Sequence, residues 1–159
     1  MGQIKKILIV CTGNTCRSPM AAYLLNHLAA NDANGKDIIT AESAGIFAQE
    51  GMPAAREAIE VLAKVGIDLT GHKARQLTSQ MLREADLVLT MTNRQKDIIL
   101  KEVPEAREKV FTLAEFSLED TFADIIDPFG QSAEIYEQIY RELQEHLSRV
   151  LTRIQKWVD

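Results

Sequence analysis

The stretch that decides the fold is Ile7-Leu8-Ile9-Val10-Cys11-Thr12-Gly13-Asn14-Thr15-Cys16-Arg17-Ser18-Pro19. Four apolar residues in a row, 7–10, predict a buried strand, and Pro19 suits the first turn of a helix. The loop between them begins with Cys11 and reaches Arg17 six positions later. Such a loop points its backbone N–H groups and the positive end of a helix dipole at one place. The arrangement suits a dianionic phosphate with a cysteine sulfur beneath it.

The composition is that of an ordinary globular protein of 159 residues, with 46% hydrophobic and 26% charged residues. We expect a single domain over residues 1–159. The formal net charge of -5 disfavours nucleic acid and anionic membranes as partners. No run approaches transmembrane length, and the apolar run near the start is too short for a signal peptide. We therefore expect neither nucleic-acid nor membrane partners.

The chain has two cysteines, Cys11 and Cys16, and both lie in this loop. A disulfide-stabilised secreted domain would carry more cysteines at wider spacing, so we expect reduced thiols and a cytoplasmic location. The three histidines (His27, His72 and His146) are scattered along the chain, and no metal-binding spacing is present.

Apolar periodicity predicts short strands that alternate with helices. The predicted strands are 6–10, 37–41, 86–91 and 110–113, and the predicted helices are 17–30, 53–66, 79–84, 93–101 and 132–157. Ser43-Ala44-Gly45 is predicted as a tight bend, and residues 115–127 as a long irregular segment. This alternation predicts a doubly wound, three-layer α/β fold with a central four-stranded parallel sheet and helices on both faces. Ligands bind such folds beyond the carboxyl ends of the strands, where the cysteine loop lies.

The loop carries the residue types that phosphate chemistry needs. A thiol beside a cation and at a helix N-terminus ionises readily, so Cys11 is a candidate nucleophile. Arg17 can bind two phosphate oxygens with its planar fork, and Ser18 can donate a hydrogen bond to the sulfur. Gly13 permits close backbone approach, and Asn14 tolerates a left-handed conformation.

Two common nucleotide-binding loops are absent from the sequence. The Gly-Lys-Ser/Thr ending of an ATP-binding loop is missing, and only Gly13 falls in the turn, so there is no dinucleotide fingerprint. ATP or NAD binding is therefore not expected. The alternative interpretation is that Cys11 and Cys16 are small core residues, although a core would not need a polar loop and an arginine between them.

Asp127 is the best candidate for the proton transfers that phosphoryl transfer to sulfur requires. A single carboxyl group can protonate the leaving group and then activate the attacking water. Pro128 fixes the following turn, Phe129 can form a pocket wall, and Gly130 lets the chain bend. An Asp-Pro pair alone is more typical of the lead-in to a helix, but its combination with the cysteine loop favours the catalytic interpretation.

These residues resemble the low-molecular-weight protein tyrosine phosphatase family. Its Cys-x5-Arg-Ser signature after the first strand matches residues 11–18, and its Asp-Pro-aromatic segment matches 127–129. Ser43-Ala44-Gly45, His72 and the 86–91 strand also resemble the family pattern, so the resemblance spans nearly the whole chain.

The resemblance implies a role for each matching residue. Cys11, Arg17 and Asp127 would be catalytic: the cysteine forms a phosphocysteine, the arginine binds phosphate, and the aspartate is first an acid and then a base. The other residues that bind phosphate or substrate would be Thr12, Gly13, Asn14, Thr15, Cys16, Ser18 and Phe129. Ser43 and His72 would hold the loop from behind. The resemblance implies no metal and no organic cofactor, and it implies phosphorylated proteins as substrates.

Thr15 departs from the usual pattern, because tyrosine phosphatases of this family commonly carry isoleucine there. Threonine at this position, together with residues 43–47, 110–113 and 127–130, resembles the bacterial protein-arginine phosphatase branch. A threonine hydroxyl can accept an N–H of phosphoarginine, which isoleucine would leave unpaired at a cost of about 1–3 kcal/mol. We therefore expect a protein-arginine phosphatase. If Thr15 is only a near-isosteric replacement, tyrosine phosphatase is the alternative.

Cys16 suggests a second hypothesis, in which oxidation closes a reversible disulfide with Cys11 and protects it from irreversible oxidation. A bridge requires a suitable Cα separation, and the alternative is that Cys16 is a buried spacer.

Two rival functions agree less well with the sequence. Thioredoxin-coupled arsenate reductases have a related loop but need later redox cysteines, and no cysteine follows Cys16. A catalytically silent module that binds phosphorylated residues would require neither Cys11 nor Asp127.

Overall fold

Four strands form one parallel sheet in the computed structural model, which describes residues 4–32, 39–118 and 123–158. The strands are β1 (Lys6–Cys11), β2 (Thr40–Gly45), β3 (Leu87–Thr90) and β4 (Val110–Thr112). Their order across the sheet is β2-β1-β3-β4. Because β1 has later strands on both sides, the loop that follows it lies where the strand order reverses.

Helices cover both faces of this sheet. They are α1 (Arg17–Asn31), α2 (Arg56–Ala63), α3 (Ser79–Glu84), α4 (Asn93–Glu102), α5 (Leu113–Leu118) and α6 (Ala133–Val158), with a 3-10 turn at Pro104–Lys109. Alternate β1 residues face opposite sides. Ile7 and Ile9 pack with α1, α2, α5 and α6, whereas Leu8 and Val10 pack with α3 and α4. The predicted doubly wound, three-layer α/β fold is confirmed.

The long helix α6 presents one apolar stripe to the core. Its buried residues recur every three or four positions and include Tyr136, Ile139, Leu143, Leu147, Val150 and Ile154. The stripe packs against α1, α2 and α5, so α6 closes one face of the molecule. Among the helices in the described ranges, none is both long and apolar enough to cross a membrane.

The prediction of a tight bend at Ser43-Ala44-Gly45 is wrong. These residues form the end of β2 and pair with β1 as far as Gly45 opposite Cys11. The first residues of the predicted strand, 37 and 38, lie outside the described residues. Position 45 needs a glycine because the loop after β1 lies against the strand end: a Cβ on Gly45 would lie 2.6 Å from the carbonyl oxygen of Thr12.

The prediction of an irregular segment over residues 115–127 is wrong in its first part, where α5 forms. Thr112 and Glu115 cap this helix reciprocally. The Glu115 N–H donates to Thr112 Oγ1 at 3.0 Å, and the Thr112 N–H donates to Glu115 Oε1 at 2.8 Å. Residues 119–122 lie outside the described residues, and 123–128 have no regular secondary structure.

Candidate active site

The Cys11 sulfur lies at the base of the loop, where several donors converge on it. Cys11 is the last residue of β1 and is buried, and Arg17 is the first residue of α1. The Asn14 N–H donates to the sulfur at 3.3 Å, and Ser18 Oγ lies 2.9 Å from it. Because Asn14 Nδ2 donates to the same Ser18 oxygen at 2.8 Å, the hydroxyl proton of Ser18 is left to point at the sulfur. One backbone N–H and one hydroxyl proton therefore point at the Cys11 sulfur.

Asn14 holds the loop together from inside. Its backbone φ is 58°, a left-handed value that asparagine tolerates, and its side chain is fully buried. Nδ2 also donates to Ser43 Oγ at 2.9 Å, and Oδ1 accepts from the Arg75 N–H at 2.9 Å. The Asn14 carbonyl is 2.7 Å from His72 Nε2. Ser43 and His72, which were predicted to support the loop, thus both contact Asn14.

His72 is a buried neutral donor in this arrangement. Burial lowers the pKa of the imidazole, and the nearby Arg75 guanidinium lowers it further, while the bond to the Asn14 carbonyl acts in the opposite direction. A carbonyl oxygen can only accept, so Nε2 carries the proton. The neutral imidazole therefore supports the loop from behind without adding a charge. Arg17 is the cationic side chain among the described residues that line the cavity beside Cys11.

Arg17 has one edge free for a ligand. It is 4% exposed, and Nη1 donates to the Ile125 carbonyl oxygen at 2.8 Å. Nη2 lies 3.8 Å from Asp127 Oδ2, and the buried Nε has no hydrogen-bond partner. A buried guanidinium with an unpaired N–H is suited to bind two oxygens of a phosphate side by side.

The segment that carries Asp127 is anchored at the carboxyl end of the sheet. The Ile125 N–H donates to the Met91 carbonyl just after β3 at 2.9 Å. Asp124 Oδ1 accepts from the backbone N–H and the side-chain amide of Asn93, at 2.8 and 3.0 Å, where α4 begins. These bonds place Asp127 beside Arg17, although the two residues are far apart in the chain.

A cavity of about 240 Å³ opens above the loop. It is lined by Cys11, Thr12, Gly13, Thr15, Cys16, Arg17, Asp127 and Phe129. The Phe129 N–H donates to Asp127 Oδ1 at 3.0 Å, and the Phe129 side chain is 70% exposed at this cavity. The Cys11 thiol, the Arg17 guanidinium and the Asp127 carboxyl group therefore line one cavity. These are the three kinds of group that phosphoryl transfer to sulfur requires. The part of the chain that is described holds no group of three or more His, Cys, Asp or Glu that could bind a metal.

Cys16 differs from Cys11 in its surroundings. Its sulfur lies 3.3 Å from the hydroxyl of Tyr136 on α6 and 3.7 Å from Thr15 Oγ1. Burial raises the pKa of the Cys16 thiol, against the opposing effect of the Tyr136 hydrogen bond. Both cysteines are free thiols in this structure. Of the two thiols, Cys11 is therefore the candidate nucleophile, because burial raises the pKa of the Cys16 thiol and favours its protonated form.

Gln95 also contacts the site, and the sequence analysis did not identify it. It is 3% exposed in the first turn of α4, and its Nε2 donates to Thr12 Oγ1 at 3.1 Å. Thr92 and Gln95 form a capping box, so the Thr-x-x-Gln pattern could have located the helix start. No local pattern could have shown that Gln95 also reaches the loop, because this contact spans 83 positions.

Comparisons with known proteins agree with this geometry. A family model described as "Low molecular weight phosphotyrosine protein phosphatase" matches residues 6–159. The protein-arginine-phosphatase of Bacillus subtilis (strain 168) is 40% identical over 150 residues, which are 94% of this chain and 97% of that protein. The probable low molecular weight protein-tyrosine-phosphatase EpsP of Ralstonia nicotianae is 40% identical over 151 residues, which are 95% and 97% of the two chains.

A solved structure shows the same fold. It is a YwlE arginine phosphatase mutant with a phosphorylated active-site serine, with a TM-score of 0.89 and 39% identity over 95% of this chain and 96% of that one. The family match covers nearly the whole chain, and the structure places the Cys-x5-Arg loop and Asp127 around one cavity. The chain therefore belongs to the low molecular weight phosphotyrosine protein phosphatase family.

Proposed function

We propose that this chain is a protein-arginine phosphatase, which hydrolyses phosphoarginine on proteins through a phosphocysteine on Cys11. The observation that carries the choice of substrate is the cavity lining, in which Thr15 and Asp127 supply oxygen acceptors beside Cys11 and Arg17. Phosphoarginine presents several N–H donors beside its phosphorus, whereas phosphotyrosine presents an apolar ring. The arginine-phosphatase names of the Bacillus relative and of the solved neighbour support the same choice.

The reaction proceeds in two steps at the loop. The Cys11 thiolate attacks phosphorus, the S–P bond forms and the P–N bond breaks, while Asp127 gives a proton to the leaving guanidine nitrogen. Asp127, now a carboxylate, takes a proton from a water that attacks phosphorus, and the S–P bond breaks to release phosphate and the thiolate. Arg17 and the loop N–H groups bind the phosphoryl oxygens throughout.

The Thr15 hydroxyl is suited to recognise the guanidinium group. Its one described side-chain contact is the weak 3.7 Å approach to the Cys16 sulfur, so Oγ1 keeps a lone pair for a substrate N–H. The Thr15 backbone is fixed, because its carbonyl accepts from the Ala55 N–H at 2.9 Å. An isoleucine at this position would leave the substrate N–H desolvated and unpaired.

Replacing Thr15 by isoleucine tests this choice of substrate. The unpaired N–H should lower kcat/KM for a phosphoarginine peptide by about 5- to 150-fold, which corresponds to about 1–3 kcal/mol. The loss on an aryl phosphate should be much smaller, and Thr15→Ser, which keeps the hydroxyl, should recover most of the phosphoarginine activity. Equal losses of Thr15→Ile on both substrates would contradict the proposal.

Protein-tyrosine phosphatase is the second candidate. The Ralstonia relative that carries this name has the same 40% identity as the Bacillus arginine phosphatase. The exposed ring of Phe129 at the cavity also offers a face on which an aryl group can stack. Turnover of phosphoarginine and phosphotyrosine peptides of matched sequence, measured side by side, distinguishes the two candidates. Loss of turnover in Cys11→Ser distinguishes both from a silent binding module.

We also propose a redox role for the two cysteines and a cytoplasmic location. Peroxide oxidises the Cys11 thiolate to a sulfenic acid, and the Cys16 thiol condenses with it to form a disulfide and release water.

The proposed cytoplasmic location rests on the two cysteines. Both thiols are free in this structure, and a nucleophilic sulfur needs a compartment that keeps it reduced, as the cytoplasm does.

A further inference from the structure

The orientation of the Gln95 side-chain amide is fixed by its hydrogen bonds. Oε1 accepts from the Met91 N–H at 2.9 Å and from the Thr92 N–H at 3.0 Å. The Met91 N–H is shared with the Val10 carbonyl at 3.1 Å. The Thr92 N–H by itself requires the oxygen at that end of the amide, so the NH₂ group must face Thr12. The bond of 3.1 Å between Nε2 and Thr12 Oγ1 therefore runs in one direction, from Gln95 to Thr12.

This direction determines what the Thr12 hydroxyl can offer to a ligand. Because Oγ1 accepts from Gln95, the hydroxyl proton cannot point at Gln95 and remains available elsewhere. Thr12 is exposed and lines the cavity together with Cys11 and Arg17. Its backbone is held, since its carbonyl accepts from the Phe47 N–H at 2.9 Å. The Thr12 hydroxyl thus keeps its proton for a partner other than Gln95, at a residue that lines the cavity and whose backbone is held.

We propose that the Thr12 hydroxyl donates a hydrogen bond to a phosphoryl oxygen of the bound substrate, and that Gln95 is the positioning residue that aims it. The proposal rests on the proposed phosphatase function but is independent of the choice between arginine and tyrosine. A hydroxyl that presents its proton matches an anionic oxygen and does not match the N–H donors of a guanidinium group. The bond from Gln95 also polarises the hydroxyl and makes it a better donor.

Thr12 and Thr15 therefore act on different parts of the substrate. Thr15 Oγ1 has a free lone pair and serves the leaving group, so its removal should affect one class of substrate. Thr12 serves the phosphoryl group, which every substrate shares, so its removal should affect all substrates and inorganic phosphate to a similar extent.

The variant Gln95→Glu reverses the hydrogen bond with little change in shape. One carboxylate oxygen still caps the N-terminus of α4, and glutamate is a preferred residue at this position of a capping box. The other oxygen replaces Nε2 and can only accept, so it withdraws the Thr12 proton from the cavity. The matched control for the added charge is Gln138→Glu, at an exposed position on α6.

The experiment is a double-mutant cycle between these two positions. The readouts are kcat/KM on an aryl phosphate and on a phosphoarginine peptide, the inhibition constant of inorganic phosphate, and the melting temperature. Thr12→Val should raise the inhibition constant and lower kcat/KM on each substrate that is turned over by about 10-fold, and Thr12→Ser should recover most of the loss. Gln95→Glu should lower kcat/KM by about 10-fold more in the wild-type background than in the Thr12→Val background.

Three results would overturn the proposal. They are an unchanged inhibition constant in Thr12→Val, a loss in Thr12→Val that is confined to the phosphoarginine peptide, and an equal effect of Gln95→Glu in both backgrounds. Gln95→Glu buries a carboxylate, so its melting temperature should fall, but a loss that is common to both backgrounds cancels in the cycle and leaves only the coupling to Thr12. If the chain proves to turn over only aryl phosphates, the cycle is still complete on that substrate, so failure of the arginine assignment is distinguishable from failure of this proposal.

Discussion

Asn14 is the residue whose loss should do most damage to the loop. In Asn14→Ala, the side-chain bonds to Ser18, Ser43 and the Arg75 N–H disappear. Each is a neutral hydrogen bond worth about 1 kcal/mol, two of them buried and the one from Arg75 partly buried, so the three contribute about 3 kcal/mol. An alanine held at the φ of 58° adds about 1 kcal/mol of backbone strain. The expected loss is therefore about 4 kcal/mol in the free energy of unfolding.

Asn14→Gly is the matched control, because glycine loses the same three bonds without a steric penalty for the left-handed backbone. Urea unfolding should show a smaller loss for Asn14→Gly than for Asn14→Ala. At about 2–4 °C per kcal/mol for a chain of this size, the melting temperature of Asn14→Ala should fall by about 8–16 °C. Turnover of an aryl phosphate should fall in both variants, because the Ser18 hydroxyl is no longer directed at the Cys11 sulfur. A loss below about 1 kcal/mol in Asn14→Ala would refute the reasoning.

Two further predictions concern acid and peroxide. Burial lowers the pKa of His72 and of His146, so the unfolded chain takes up more protons than the folded chain as the pH falls through about 6.5. The contribution of the two neutral histidines to the free energy of unfolding is therefore complete above that pH and is lost below it. The urea midpoint should drop between about pH 7.5 and about pH 5.5. It should drop less in a His72→Asn/His146→Gln variant. For the redox proposal, dithiothreitol should restore more activity after prolonged peroxide treatment of the wild type than of Cys16→Ala, in which the Cys11 sulfenic acid is oxidised further to an irreversible sulfinic acid; equal recovery in the two proteins would count against a disulfide with Cys11.

Apolar periodicity predicted those strands and helices whose buried residues form a regular pattern in the sequence. The run at 7–10 is apolar because both faces of β1 are covered, and α6 carries a complete apolar stripe. The end of β2 was mistaken for a bend because its glycine was read as a turn residue. Gly45 is instead required by its close contact with Thr12 in the loop after β1. The helix α5 was missed although the Thr112 and Glu115 pair is a local signal that marks its start.

The residue types that the proposed reaction requires, and the spacing of the cysteine loop, were enough to predict part of the site. Cys11, Arg17 and Asp127 were identified by what a phosphoryl transfer requires, and the structure brings them to one cavity. The contact between Gln95 and Thr12 was not predictable, because no spacing rule connects residues on separate strand-to-helix turns. The contact between Tyr136 and the Cys16 thiol was not predictable for another reason. A buried tyrosine on α6 fits the apolar stripe whether or not its hydroxyl bonds another residue, so the sequence does not distinguish the two cases.

The bond between Arg17 and the Ile125 carbonyl has a consequence for how activity arises during synthesis. During synthesis, the segment that carries Cys11 and Arg17 is made well before the segment that carries Ile125 and Asp127. Until that later segment docks after β3, the guanidinium lacks the carbonyl that orients it. An unfinished chain that stops before Ile125 therefore carries the Cys11 sulfur without the residues proposed to act with it, and the cavity is complete only when the two distant segments meet.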